Sequence, residues 1–378
     1  MNFNIETEGS LLALENILQN MIVNKKIQSL LILACDSNSF TETAINKILK
    51  NITLPIFGGI FPEIIYKNEK LSKGTIVVGF SIAVNVQILP NLSETGIDFD
   101  KLISNKIPDI GDAKTMFIWV DRSSKRINEL IDSLFNVFGL ELNYIGGGAG
   151  SVSSDNMPCL FTNEGLIKDS AVLALLDIKS GIGVQHGWKR LKGPFRVTET
   201  DGNIIKTLDG QPAFEIYKSV VEKASGKQLT KENFFEVAKG YPFGIPKIGS
   251  EPIVRDPISL ENEGALKCVG DVPIGYVDIL FGNVDSLIKA ARKALDFGIE
   301  SFETKSDRNI FIIDCISRVL FLEDNYEQEL NAIYDEKSNL FFGVTTLGEI
   351  ANSGKEYLEF YNKTLVVTIL EAHNEVSH

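Results

Sequence analysis

Leu142-Asn-Tyr-Ile-Gly-Gly-Gly-Ala-Gly-Ser151 decides how this chain is read. Leu142, Tyr144 and Ile145 have the character of a strand, and four glycines then fall within five positions, Gly146 to Gly150. Each glycine loses much backbone entropy on ordering, so the stretch is destabilising in itself. The compensation is a backbone shape that no other residue permits, or a close approach to something. The surroundings of this glycine turn recur twice more along the chain.

Upstream, Ser29-Leu-Leu-Ile-Leu-Ala-Cys35 is a short apolar run of the kind buried on both faces of a sheet. A polar break and a helical stretch from Phe40 to Lys50 follow, then Leu54-Pro-Ile-Phe57 runs into Gly58-Gly59, and Lys73 to Phe80 reads as a strand. Around the opening stretch the order is strand Thr115 to Val120, break Asp121 to Ser124, helix Ile127 to Phe138, glycine turn, and strand Ser170 to Leu176. Near the C-terminus it returns: strand Asn309 to Ile313, break Asp314-Cys315-Ile-Ser-Arg318, helix from Glu327, Leu340-Phe-Phe342 into Gly343, and strand Thr364 to Leu370. Cys35 to Gly58 spans 23 residues, Asp121 to Gly147 spans 26 and Cys315 to Gly343 spans 28, so one unit is used three times. Strands alternating with helices predict α/β or α+β layered sheets with right-handed crossovers, built from repeated strand-helix-strand-glycine-turn units. The glycine turns then collect at one end of the sheets, where such folds place ligands.

Between the second and third units the pattern changes. Phe195 to Thr198 and Ile204 to Leu208 flank Asp201-Gly202-Asn203, a hairpin signal. A helix over Ala213 to Ala224, several short strands between Phe243 and Gly270, and an amphipathic helix over Val284 to Phe297 follow. Gly226 to Thr230 reads as a boundary. The expected division is a helical extension at 1–27, two associated domains at 28–222 and 223–371, and a polar tail at 372–378.

The 378 residues are 44% hydrophobic and 23% charged, as in a soluble globular protein. A net charge of -13 argues against a nucleic-acid surface. The N-terminus lacks a charged-then-apolar signal pattern. The long uncharged run Gly74 to Ser93 contains Asn85, Gln87, Pro90 and Asn91 and reads as strands rather than a membrane span. Cys35, Cys159, Cys268 and Cys315 have no paired spacing, which fits free thiols in a reducing cytoplasm. With only His186, His373 and His378 besides, a four-ligand zinc site is not expected.

The turn at Gly146, Gly147, Gly148, Gly150 and Ser151 lacks both the Gly-Lys-Ser/Thr ending of a nucleotide P-loop and the spacing of a dinucleotide fingerprint. Small-ligand contact and tight packing remain as its readings. His186-Gly-Trp188 offers a haem ligand, a donor to a ligand carboxylate, or a histidine satisfied by a backbone group. Cys315 with Arg318 lacks the five-residue spacing of a phosphatase loop and has no base beside it in sequence, so a small buried thiol is the reading. Glu349, after Thr346 and Gly348, either orients a ligand amine or caps a turn. Arg255-Asp256 binds a carboxylate or forms a local ion pair.

Taken in order, these motifs resemble the FIST family of sensory domains. The residues that carry the resemblance are Phe57-Gly-Gly59, Tyr144 to Gly150, Gly183-Val-Gln-His-Gly-Trp188, Val197-Thr198 and Asp209-Gly-Gln-Pro-Ala213. They continue with Tyr241-Pro-Phe-Gly244, Val254-Arg-Asp256, Cys315-Ile-Ser-Arg318 and Gly343-Val-Thr-Thr-Leu-Gly-Glu-Ile350. The resemblance implies FIST N-terminal-like and C-terminal-like domains and a small-ligand sensor, with amino acids or related metabolites proposed for many members. Some members bind haem, respond to nitric oxide and act on a partner histidine kinase. No output module follows here, so the signal is expected to leave through a separate partner. The expectation is a cytoplasmic, non-enzymatic sensor whose ligand lies between the two parts, touched by Gly146 to Ser151, His186, Trp188, Arg255, Cys315, Arg318, Thr346 and Glu349. A hinge near 222–230 is expected to close it. The alternatives are a haem-bound nitric oxide sensor with His186 as axial ligand, and an enzyme using Cys315 or Glu349.

Overall fold

The structure is a computed structural model and describes residues 1–153, 157–247, 249–302, 308–353 and 356–372 of the 378. His373, His378 and most of the expected tail lie outside the described residues.

The three repeats are present. In each, two parallel strands sandwich a helical crossover and a third strand runs antiparallel to the first. Ser29–Cys35 pairs with Ile56–Phe61 and Thr75–Phe80. Thr115–Asp121 pairs with Asn143–Ala149 and Ser170–Leu176. Arg308–Cys315 pairs with Leu340–Thr346 and Leu365–Glu371. The first strands are buried along their length or nearly so, which is why they read as unbroken apolar runs.

The units then interlock. After its glycine strand, each chain segment leaves its own sheet and completes another. The hairpin Glu63–Tyr66/Glu69–Leu71 pairs with Leu340–Thr346. The hairpin Leu160–Thr162/Gly165–Ile167 pairs with Ile56–Phe61. The hairpin Glu349–Ala351/Glu359–Tyr361 pairs with Asn143–Ala149. The three sheets share one inner core, in which Phe57 meets Phe117 at 5.6 Å between ring centroids, Phe117 meets Phe311 at 5.6 Å and Phe311 meets Phe342 at 5.0 Å. The helices pack on the outer faces in separate clusters.

The glycines correct the expectation of turns. Gly146, Gly147 and Gly148 lie inside the strand Asn143–Ala149, and Gly58 and Gly343 lie inside the corresponding strands. Gly58, Gly146 and Gly343 sit opposite Ile32, Ile118 and Ile312. A Cβ at those positions would lie 2.0, 1.8 and 2.1 Å from the three isoleucine carbonyl oxygens. Backbone proximity across the parallel pair therefore accounts for the repeated glycine.

Between the second and third units a separate antiparallel barrel forms. Its strands are Lys189–Asp201, Ile204–Leu208, Leu266–Val269, Ile253–Leu260, Phe243–Ile245 and Gly275–Phe281, the last returning to the first. Ile205, Tyr217, Val221, Phe243 and Ile279 fill its core, with helix Ala213–Ser225 against it. Asp201 and Ile204 flank the expected hairpin turn. Gly226 to Thr230 joins two helices within this module. The run Gly74 to Ser93 holds two strands, Thr75–Phe80 and Asn85–Pro90. Among the described residues no helix is long and apolar enough to cross a membrane.

Candidate functional site

The repeats provide an internal control. Strand register places Cys35, Asp121 and Cys315 at equivalent first-strand ends, opposite Phe61, Ala149 and Thr346. It also makes Ile64, Leu160 and Glu349 equivalent, because they face Val344, Gly59 and Gly147. Two units fill that buried position with an aliphatic side chain, and the third fills it with a carboxylate.

Glu349 is fully buried. The Thr346 hydroxyl donates to its Oε1 at 2.9 Å, the Thr364 N–H donates to Oε2 at 3.3 Å, and the Cys315 thiol lies beside it. Burial pushes its pKa up to about 8 against the downward pull of those bonds. Burial and the Glu349 charge push the Cys315 thiol well above its ordinary value, while the Ser317 and Lys363 N–H groups face the sulfur.

Cys315 and Ser317 open onto a cleft of about 820 Å³. Arg122 to Lys125 of the second unit, the Asp201 hairpin and Lys267 to Asp271 of the barrel, and Leu347, Gly348 and Asn362 of the third unit form its other walls. Asp256 also lines it and is fully buried. Lys363 Nζ lies 3.2 Å from Asp256 Oδ2 and the Ser317 side chain faces the carboxylate, but neither Asp256 oxygen meets hydrogen-bond geometry with a neighbour. Burial raises the Asp256 pKa, with Lys363 and Ser317 opposing. Asn362 uses its amide nitrogen on the Tyr361 carbonyl at 2.9 Å and leaves Oδ1 without a partner. The Ser124 hydroxyl is likewise buried and unpartnered. The unpaired Asn362 Oδ1 and Ser124 hydroxyl, with the Asp256 carboxylate that is held by Lys363, thus surround one cleft, as at a polar ligand site.

Of the residues singled out in the sequence, Cys315, Thr346 and Glu349 come together here. The glycines do not supply donors to the cleft: Gly148 N–H bonds to the Gly348 carbonyl at 2.8 Å and Gly150 N–H to the Ile60 carbonyl at 2.8 Å, while Gly146 and Gly147 lie in the sheet ladder. Ser151 receives Arg122 Nη2 on its carbonyl at 3.1 Å. Arg318 is fully buried and spends its donors on Glu329 and on the carbonyls of His186, Leu287 and Lys363, with Asp314 Oδ1 at 3.2 Å. Arg255 donates to the carbonyls of Asp271, Val254 and Phe360. It does not pair with Asp256, because successive strand residues point to opposite faces.

His186 lies elsewhere, in a cleft of about 630 Å³ with Lys247, Ser250, Glu251, Lys293 and Glu356 on its walls. Its Nδ1 accepts the Trp188 N–H at 2.9 Å, and its unpartnered Nε2 stands 3.6 Å from Glu251 Oε2. Burial lowers its pKa to about 4. A haem would need an apolar slot at Nε2, whereas Glu251 stands beside that nitrogen and Lys247, Lys293 and Glu356 line the same cleft. Trp188 is buried and donates Nε1 to the Lys363 carbonyl at 3.0 Å. Among the described residues no group of three His, Cys, Asp or Glu is placed to hold a metal ion.

Sequence reading missed Asp256 as a site residue, together with Asn362, Lys363 and Ser124. Asn362 and Lys363 carried only a weak signal, a polar pair ahead of the last strand; Lys363 has φ 52°.

A solved chorismatase crystal structure aligns over 98% of each chain, but with 8% identity and a TM-score of 0.35, too low for any argument. Uncharacterized protein MJ1623 of Methanocaldococcus jannaschii is 24% identical over 300 residues, 73% of this chain. The chain matches about half of that relative's length, 55%. A family model described as FIST N domain matches residues 28–211, and one described as FIST C domain matches residues 213–352. The two matches follow in order over the units and the barrel that wall the cleft, and the chain belongs to the FIST family.

Proposed function

We propose that the chain senses a small zwitterionic metabolite, an amino acid or a close relative, in the cleft between Arg122, Asp256 and Asn362, and signals through a separate protein such as a histidine kinase. FIST domains are small-ligand sensory domains of signalling proteins, and the chain's place in that family gives the general role. The observation that supports the finer reading is the convergence of the unpaired Asn362 Oδ1 and Ser124 hydroxyl and of the Asp256–Lys363 ion pair on a cleft walled by both matched segments. Asp201, Asp256 and Asp271 face a ligand ammonium, and Arg122, Lys125 and Lys267 face a carboxylate. Four free, buried cysteines accord with a reducing cytoplasm as its location.

The test is a thermal-shift screen of amino acids and organic acids. A ligand at a hundred times its Kd stabilises the folded chain by about 2.7 kcal/mol. Asp256→Asn and Asn362→Ala should remove the shift. A hit that stabilises both variants as well as the parent refutes this site.

A further inference from the structure

We propose that Cys315 and Glu349 are a nucleophile and general-base pair that hydrolyses an ester or amide bond of a cleft ligand, so that the sensor clears its own signal. This rests on the reading of the cleft as the ligand site. The three-unit comparison is the first support. Ile64 and Leu160 show that the fold accepts an aliphatic group where Glu349 stands. A carboxylate there carries a desolvation cost that packing does not explain.

The second support is geometry. Cys315 ends the strand Arg308–Cys315 on the cleft wall, in register with Thr346, whose hydroxyl binds Glu349, so that thiol and carboxyl lie side by side. Glu349 is in turn fixed by Thr346 and by the Thr364 N–H. Nucleophile, base and orienting group are thus linked in series. The equivalent Cys35 instead donates to the Leu71 carbonyl at 3.2 Å, within the inner core. The third support is that the unpaired Asn362 Oδ1 and the Asp256 carboxylate, held by Lys363, line the same cleft.

The steps balance without an added oxidant or reductant. Cys315 Sγ attacks the carbonyl carbon and its proton passes to the ionised Glu349. The S–C bond forms, the bond to the leaving oxygen or nitrogen breaks, and Glu349 returns the proton to the leaving group. Water then attacks the thioester carbon, gives a proton to Glu349, and the S–C bond breaks as that proton returns to sulfur. Because the proton moves as the bond forms, a standing thiolate is not required.

Iodoacetamide alkylation of the folded chain, resolved by cysteine with peptide mass spectrometry across pH, tests the pair. Cys315 should react about tenfold or more faster than Cys35 and Cys159 at pH 8, and Glu349→Gln should cut its rate by about tenfold or more. Thr346→Val, which releases Oε1 without altering either reacting group, should slow it in the same direction. With p-nitrophenyl acetate, an acid quench should trap an acyl group on Cys315, and Cys315→Ala should lose both adduct and turnover. Alkylation of Cys315 no faster than of Cys35, rates untouched by both Glu349→Gln and Thr346→Val, or ester turnover unchanged in Cys315→Ala each overturn the proposal. None of these readouts uses the metabolite, so their failure leaves the thermal-shift result standing.

Discussion

Glu349→Gln should reverse part of the chain's dependence on pH. Burial holds the Glu349 pKa at about 8, against an ordinary value of 4.5. Between those two values the folded chain retains a proton that the unfolded chain has released. Stability therefore falls as pH rises through that window and levels off above it. A gap of about 3.5 pH units at about 1.36 kcal/mol each gives an upper bound of about 5 kcal/mol. Cys315 stays protonated throughout, since its own value is pushed well up. The surrounding Thr346 and Thr364 do not titrate, and Arg318 keeps its charge. Gln holds the shape with no proton to lose, so its offset from wild type is constant at fixed geometry. The assay is urea unfolding at pH 5, 6, 7 and 8, followed by the fluorescence of the buried Trp119 and Trp188. Wild type should lose ground to the variant steadily as pH rises. A difference that is flat, or that favours wild type at high pH, would mean an ionised and compensated carboxylate and refute the reasoning.

His186 should show the opposite slope in the same assay. Burial lowers its pKa from 6.5 to about 4, so as pH falls the unfolded chain takes up the proton first, and about 3 kcal/mol is lost between pH 6.5 and 4. His186→Gln should abolish that acid loss, and equal losses in variant and parent would sink the assignment. Gly146→Ala should cost about 3 kcal/mol or more, because its Cβ meets the Ile118 carbonyl at 1.8 Å, whereas Gly210→Ala, in open space at φ 75°, should cost only about 1 kcal/mol. Similar melting temperatures for the two variants would contradict the close-approach account.

Much of the local structure was legible. The repeated apolar runs, the helix Ile127–Phe138 and the hairpin at Asp201 follow from pattern and turn chemistry. What the pattern could not show was which strands pair across long separations. The glycines were misread as turns because a tight strand-to-strand approach and a turn leave the same glycine-rich signature. The closed barrel was invisible for a related reason: its strands are short and their order in space is not their order in sequence. At the site, Cys315 seemed to lack a base because Glu349 lies 34 residues on, where 349 minus 315 is 34. The parallel register of Cys315 with Thr346 brings the two together. Asp256 was hidden by Arg255, an adjacent opposite charge that invites a pair which strand alternation forbids.

The exchanged hairpins set a timetable for synthesis. Ile56–Phe61 waits about a hundred residues for Leu160, and Asn143–Ala149 waits about two hundred for Glu349. Glu63, whose N–H bonds to Thr345 Oγ1, is separated from it by 282 residues. A nascent chain therefore closes its first sheet once the hairpin at Leu160 has emerged, while the sheets of the second and third units keep open strand edges until the third unit has left the ribosome. Such late, non-local closure slows folding and exposes edges to neighbouring chains, so these strands rely on rapid completion or on chaperones during translation.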